Sequence, residues 1–193
     1  MSMREMLRKR RAVRNLRPEP VEEDKIAALL EAATWAPNDR LREPWHFYVI
    51  RGEAKRQYEE AAHAYLRERF PTKPHLVEES LKVLLSTPLV IVVTSDIIPG
   101  DPDSSRDNEY AAACAIHSMW LAADELGLGF VWRTRGIGLV HDDRMHRLIG
   151  APANRKVIGT LFVGYPAEEP PATKRTGYAD KTTWLLELDS ESR

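Results

Sequence analysis

The segment NEYAAACAIHSMWLAADEL, residues 108–126, is the longest and most apolar helical pattern in the chain, and it decides how the other elements can pack. Small and apolar side chains cover most of its faces, which is typical of a helix in the core or at a subunit interface. We therefore expect Cys114 and His117 to be packed rather than reactive. Gly127 and Gly129 end the helix, and the strand FVWRT follows at residues 130–134.

The remaining apolar patterns alternate irregularly between helices and strands. PLVIVVT, residues 88–94, is almost continuously apolar and predicts a central strand that is buried on both faces. Further strands are predicted at 45–51 and 157–165, and helices at 4–17, 22–35, 53–69, 77–86 and 141–148, with a polar loop at 97–106. Strands embedded among more numerous helices, without regular β-α-β alternation, indicate an α+β fold.

Length, charge and cysteine content exclude several classes of protein. The 193 residues predict one domain spanning 1–193, and 28 basic against 29 acidic residues give a formal net charge of 28 − 29 = −1, which argues against a protein that binds nucleic acid. The single Cys114 rules out an internal disulfide bond and zinc sites built from cysteine pairs. No apolar run approaches a membrane span and the N-terminus does not resemble a secretory signal, so we expect a cytoplasmic protein without membrane contact.

Arginines are concentrated near the N-terminus. Residues 4–17 carry seven basic side chains and one acidic side chain, a local charge of 7 − 1 = +6. On a helix, Arg10, Arg11 and Arg14 lie on adjacent turns and repel one another unless an anion lies among them. Because guanidinium groups match phosphate oxygens, the cluster predicts a phosphate site. The alternative is a solvated basic face.

Two further segments are candidates for ligand contact. WAPNDRLREPW, residues 35–45, places a polar loop between a helix and a strand, and Trp132, Arg133 and Thr134 put a cation and a hydroxyl beside a large aromatic ring. That second arrangement suits a flat anionic ring system. The alternative is that Trp45 and Trp132 are core aromatics and that Arg133 pairs with a surface acid.

Side chains that could perform catalysis by themselves are missing from the sequence patterns. The six histidines are not spaced as metal ligands, and the chain has neither a nucleophile motif nor a phosphate-binding glycine loop. We therefore predict no catalytic side chain and no metal. Any chemistry is then supplied by a cofactor.

Taken in order, three segments resemble the nitroreductase family of flavoenzymes. RRAVRNL at 10–16 is similar to the family signature R-R-S-x-R-x-F, and APNDRLREPWHFYVI at 36–50 is similar to A-P-S-x-x-N-x-Q-P-W-x-F-x-V. GFVWRTR at 129–135, with the alanine-rich helix before it, is similar to the small single-domain branch, in which W-R-S/T follows that helix. The resemblance covers residues 10 to about 166.

The resemblance implies a nitroreductase-like α+β fold with a central, mostly antiparallel sheet flanked by helices. It implies a homodimer that binds FMN at the subunit interface, with residues 166–193 forming a tail that packs on the partner subunit. The implied activity is transfer of hydride from NAD(P)H through FMN to a small oxidant such as a nitroaromatic or a quinone.

The resemblance also assigns the site by position. The three arginines of the first motif are implied to hold the phosphate and the pyrimidine side of the flavin, two acids to approach from the other subunit, and the W-R-T residues to complete the site. The cofactor-binding positions are thus Arg10, Arg11, Ala12, Arg14, Asp39, Glu43, Trp132, Arg133 and Thr134.

Three positions depart from the family pattern. Ala12 replaces the usual serine, Leu16 the usual aromatic residue, and Glu43 the usual glutamine. Beside a reduced flavin, we expect Glu43 to be protonated or paired with Arg40, Arg42 or a site arginine. Ala12 and Glu43 favour one alternative, an FMN-binding or regulatory protein with little turnover. A second alternative is a small nucleic-acid-binding module that uses the basic segment.

Overall fold

Four antiparallel strands form the central sheet in the order β1–β2–β4–β3. The computed structural model describes residues 2–186, and the strands are β1 (Trp45–Ile50), β2 (Leu89–Asp96), β3 (Gly129–Arg133) and β4 (Arg155–Gly164). The predicted central strand is confirmed, because β2 is paired on both sides and its first seven residues are buried. Antiparallel pairing throughout the described sheet, together with the flanking helices, confirms the α+β class.

Helices cover both faces of this sheet. The six helices are α1 (Met3–Lys9), α2 (Glu23–Thr34), α3 (Glu53–Arg69), α4 (Pro74–Leu85), α5 (Pro102–Glu125) and α6 (Asp143–Ile149). Alternate residues of β2 point to opposite faces, so that Ile91 and Val93 pack with α2 and α5, whereas Val90 and Val92 pack with α3, α4 and α6. The sheet therefore separates two apolar cores.

Helix α5 is longer than the sequence predicted. Residues up to 106 were expected to form a loop, but the helix begins at Pro102, because Asp101 caps it by accepting a hydrogen bond from the Ser104 backbone N–H (2.9 Å). The helix buries an alanine-rich face with Ile116 and Met119 against the sheet. Cys114 and His117 lie on the opposite, exposed face, so the expectation that both are packed is wrong for the protomer.

The N-terminal helix is shorter than predicted. Helix α1 ends at Lys9, and residues 10–17, which were expected to be helical, run extended. The reason is that this segment pairs with the sheet: the Val13 backbone N–H donates to the Phe130 carbonyl (3.0 Å), and Leu16 forms an isolated β-bridge with Pro166. We call residues 10–16 the arginine arm.

The described part of the C-terminal tail leaves apolar side chains uncovered. Trp184, Leu185 and Leu186 are 77%, 73% and 88% exposed. No other part of residues 2–186 covers these side chains. Residues 187–193, which complete the predicted tail, lie outside the described residues.

We predict that Tyr58→Phe destabilises the protein without changing its fold. Tyr58 is fully buried, and its hydroxyl donates to the carbonyl of Ile137. Removing the hydroxyl leaves a buried carbonyl unpaired, so the free energy of unfolding should fall by about 1–2 kcal/mol in urea titrations. Tyr65→Phe, a half-buried tyrosine on the same helix, is the control and should change the free energy less. Equal losses in both variants would contradict the role of the Tyr58 hydrogen bond.

Candidate functional site

The arginine arm forms one wall of a cleft of about 450 Å³. The C-terminal half of α5 forms a second wall, and residues 170–175 of the tail form a third. The cleft is lined by Arg10, Arg11, Ala12, Arg14, His117, Trp120, Trp132, Pro170, Pro171, Thr173 and Arg175. Its volume lies in the range of sites for small molecules and cofactors.

The cleft is strongly cationic. Among the described residues, its lining contains four guanidinium groups and no carboxylate. Burial and the nearby charges of Arg175 and Arg11 lower the pKa of Arg10 below its ordinary value. An anion bound among these groups would relieve the repulsion, so the electrostatics of the cleft favour an anionic ligand.

The three arginines of the arm are used differently. Arg11 Nη1 donates to the carbonyls of Arg8 (2.6 Å), Lys9 (3.2 Å) and Arg10 (2.8 Å), and thereby caps the end of α1. Arg11 Nε is buried and has no hydrogen-bond partner within the described residues. Arg10 and Arg14 make neither a side-chain hydrogen bond nor an ion pair with the described part of the chain, so their guanidinium groups remain to meet a ligand.

Trp132 lies in the cleft because of a glycine on the neighbouring strand. The Trp132 indole Nε1 donates to the carbonyl of Ile158 (3.3 Å), and the ring lies directly over Gly159. A Cβ atom at position 159 would overlap the indole. The aromatic wall of the cleft therefore depends on the absence of a side chain in β4.

Arg133 and Thr134 do not line this cleft. Arg133 follows Trp132 in β3 and so points to the other face of the sheet, with its guanidinium carbon 5.4 Å from the centroid of the Phe162 ring. Burial, and next the charge of Arg14, lower the pKa of Arg133, whose Nε is buried without a partner in the described chain. Thr134 is exposed just beyond the strand.

The other two predicted residues lie on the loop of residues 38–43. Asp39 pairs with Arg42 (3.0 Å) and, at longer range, with Arg40 (3.7 Å). Glu43 is exposed and its backbone N–H donates to Asn38 Oδ1 (2.9 Å). The two loop arginines thus pair with Asp39, and not with Glu43 as the sequence had suggested.

The loop and the cleft lie at opposite ends of α5. Arg42 Nη2 donates to Ser104 Oγ (3.2 Å) in the first turn of the helix, whereas Trp120 lines the cleft near its end. Sixteen residues separate these positions, which corresponds to about 24 Å along the axis. One protomer therefore does not bring Asp39 and Glu43 to the arginine arm.

Six cleft residues were missed by the sequence analysis, two of them on α5 and four in the tail, Pro170, Pro171, Thr173 and Arg175. Trp120 and His117 were assigned to the core, although their spacing of three residues on one helix was a signal that they share a face. Arg175 lies in the proline-rich tail, where no periodicity indicates a position. Within residues 2–186, no group of three metal-ligating side chains occurs, and no helix is long and apolar enough to cross a membrane.

A four-stranded antiparallel sheet with helices on both faces and an arginine-lined cleft beside it define the class as an α+β protein with a cationic pocket. The model of the Nitroreductase family matches residues 7–165. The chain belongs to the nitroreductase family.

Relatives and solved structures agree with this assignment. The chain is 31% identical over 188 residues to YfhC of Bacillus subtilis (strain 168), whose name carries a provisional assignment as an NAD(P)H nitroreductase; the match covers 94% of this chain and 93% of YfhC. It is 28% identical to the 5,6-dimethylbenzimidazole synthase of Rhodospirillum rubrum, covering 84% and 81% of the two chains. Relatives within this family therefore include a protein named for a different activity.

Among solved structures, the nitroreductase-like family protein from Bacillus cereus superimposes with a TM-score of 0.84 at 28% identity, covering 97% of each chain. A nitroreductase with bound FMN from Bacteroides fragilis superimposes with a TM-score of 0.72 at 25% identity, covering 96% of this chain and 99% of that one. The nitroreductase-like fold expected from the sequence is confirmed.

We predict that Gly159→Ala destabilises the protein by displacing the Trp132 indole. Overpacking of this kind costs about 1–3 kcal/mol, measurable by urea unfolding, and the near-ultraviolet circular dichroism of the tryptophans should change. Gly177→Ala is the matched control, because Gly177 has an ordinary negative φ of −62° and open space at the Cβ position. Gly159→Ala with the stability and spectrum of the parent would show that the ring does not depend on this glycine.

Proposed function

We propose that the protein is an FMN-dependent oxidoreductase that transfers hydride from NAD(P)H through bound flavin to a small oxidant such as a nitroaromatic or a quinone. The observation that carries this proposal is the cleft in which Arg10, Arg14 and Arg175 converge, with no carboxylate from residues 2–186 in its lining. Membership in the nitroreductase family and the FMN-bound structure from Bacteroides fragilis support it.

The residues of the cleft fit FMN in charge and shape. The phosphate of FMN is an anion with several acceptor oxygens, for which the free guanidinium groups of Arg10, Arg14 and Arg175 supply paired donors. Arg11 retains its buried Nε as a donor. The Trp132 ring offers a flat apolar surface beside them, as a planar ring system requires.

The cofactor would supply the redox chemistry, and the side chains of the cleft would bind the cofactor and stabilise its negative charge. When bound, FMN accepts a hydride and passes two electrons on to an oxidant. The guanidinium groups of the arm would stabilise negative charge on the ligand, and the partial burial of Arg10 strengthens that effect. None of the described cleft residues is needed as an obligate acid or base.

We also propose that the active form is a homodimer of single-domain subunits, in which the tail of residues 166–193 lines its own cleft as far as Arg175 and then packs on the second subunit. On α5, Tyr110, Cys114 and His117 form an exposed stripe. An antiparallel pairing of α5 with its copy about position 112, the midpoint between Ser104 and Trp120, would place the loop of one subunit beside the cleft of the other.

That geometry would complete the predicted site. It would bring Asp39 and Glu43 of one subunit near the arginine arm of the other, which a single protomer does not do. Covering the exposed side chains of the helix and of Trp184–Leu186 would also remove large apolar surfaces from water. The use of NAD(P)H as donor, a nitroaromatic or quinone as oxidant and a cytoplasmic location stay predictions.

A second candidate function is FMN binding with little turnover. Glu43 favours it, because both neighbouring loop arginines pair with Asp39 and leave this carboxylate without an ion pair among the described residues. A negative charge placed beside a reduced flavin would oppose its reduction. Bleaching of the bound flavin by NADH or NADPH separates this candidate from the reductase.

The direct test is an anaerobic visible spectrum of the protein reconstituted with FMN, before and after NADH and then NADPH. We expect flavin bands that bleach with at least one donor. Arg10→Gln with Arg14→Gln should weaken FMN binding by at least about a hundredfold, since each charged hydrogen bond contributes on the order of 1.5–3 kcal/mol.

The matched control for charge is Arg67→Gln with Arg69→Gln, two exposed arginines at the end of α3. This variant should bind FMN as the parent does. Equal affinity for FMN in both double variants would contradict the assignment of Arg10 and Arg14 to the FMN site. A flavin that binds but stays yellow with both donors would favour the second candidate.

The dimer proposal predicts that Cys114→Glu yields a monomer. The side chain is exposed in the protomer, so the fold should survive, whereas two carboxylates near a two-fold axis would repel each other. Light scattering should show the halved mass, and FMN affinity should fall because the second half of the site is lost. Gln57→Glu on α3 adds the same charge elsewhere and should stay dimeric. A dimeric Cys114→Glu protein would contradict this interface.

A further inference from the structure

Trp120 is the side chain of α5 that contacts the arginine arm, through both its ring and its N–H group. The Arg10 guanidinium carbon lies 4.3 Å from the centroid of its ring system, and the Phe130 ring stacks on the indole with a centroid distance of 5.2 Å and an interplanar angle of 27°. The indole thus contacts both a cation and an aromatic ring. Such a cation–π contact orients the guanidinium as well as attracting it.

The same indole also fixes the backbone of the arm. Trp120 Nε1 donates to the carbonyl of Arg11 (3.1 Å). On the other side, the Val13 N–H donates to the carbonyl of Phe130 (3.0 Å), the residue on which Trp120 stacks. Hydrogen bonds to the carbonyl of Arg11 and from the N–H of Val13 therefore hold the backbone of the arm, and the face of the indole contacts the guanidinium of Arg10.

Arg11 contributes to this arrangement from within the arm. Its Nη1 joins the carbonyls of residues 8, 9 and 10, so that the chain turns from helix α1 into the extended arm at this residue. Arg11 Nη1 is therefore occupied by backbone carbonyls, whereas the guanidinium of Arg10 makes no hydrogen bond with the described residues and can face the cleft. The direction of Arg10 is then set by Trp120.

We infer that Trp120 is a positioning residue that holds Arg10 in the orientation needed to bind the phosphate of FMN. The inference rests on the proposed function, because FMN is the ligand whose affinity reports it. Trp120 acts through Arg10 and through the backbone of Arg11, and it is required for a preformed cationic wall. Without it, the Arg10 side chain would sample many rotamers and would lose binding energy when it is immobilised.

The test is a double-mutant cycle read out by the dissociation constant for FMN. Trp120→Leu should weaken binding about tenfold, the effect of losing a partly desolvated cation–π contact and a hydrogen bond. Trp120→Phe keeps an aromatic face and should lose about threefold or less. Because part of the effect of Trp120 passes through Arg10, the double variant Arg10→Gln/Trp120→Leu should lose less affinity than the product of the two single losses.

Two outcomes of the cycle would overturn the inference. The first is a Trp120→Leu protein that binds FMN as the parent does. The second is a double variant in which the two losses multiply, since this would mean that Trp120 and Arg10 act independently. Phe70→Leu, which shortens a half-buried aromatic residue on the opposite side of the sheet, is the control and should leave the dissociation constant unchanged.

Hydrogen–deuterium exchange of the FMN-free protein tests the positioning separately from the cofactor. The Val13 amide, bonded to Phe130 in the parent, should exchange several-fold faster in Trp120→Leu. In Trp120→Phe, which keeps the aromatic face but loses the Nε1 bond to Arg11, the increase should be smaller. Unchanged exchange in both variants would overturn the inference even if FMN binds. If the parent does not bind FMN, the proposed function fails, while the exchange rates still decide whether Trp120 holds the arm.

Discussion

The close approach of the arginine arm to the end of the sheet is the constraint on which the site depends. The arm bonds to β3 through Val13 and to the segment after β4 through Leu16. Gly129 makes this possible, because a Cβ atom there would lie 2.8 Å from Val13 Cγ1 and 2.7 Å from Leu16 Cδ2. A side chain at position 129 would push the arm from the strand, and the arginines would no longer face α5.

The cleft brings together like charges that repel one another, and it leaves one of its buried N–H donors without an acceptor among the described residues. Arg10 and Arg175 are close enough for each charge to disfavour the other, and Arg11 Nε is buried without an acceptor. A protein in this state is stabilised by any anion that binds the folded form and not the unfolded chain. The fold therefore leaves Arg10, Arg11 and Arg14 without an ion pair among the described residues, at some cost in stability, which is consistent with a site prepared for a ligand.

Local pattern predicted the elements whose residues pack regularly on the sheet. Helix α3 was expected at 53–69 and occupies Glu53–Arg69, and β2 was recognised from its unbroken apolar run. The predicted end of α1 was wrong, because the hydrogen bond from Val13 to a strand more than one hundred residues away in the sequence draws this segment out of the helix. Helical spacing of apolar residues does not reveal such a bond. The roles of Trp120 and Arg175 were equally hidden, since each depends on which distant segment folds back onto it.

Strain in the loop of residues 38–43 links the second half of the site to α5. Arg40, Leu41 and Glu43 have φ values of 52°, 53° and 47°, in the left-handed region that non-glycine residues adopt at a cost of about 1–3 kcal/mol each. The bond from the Glu43 N–H to Asn38 and the Asp39–Arg42–Ser104 contacts offset that cost. Because Ser104 belongs to α5, the helix whose exposed stripe is proposed to meet its copy also holds the strained loop in shape. The orientation of Glu43 and the placement of the second subunit would then be set by one rigid element.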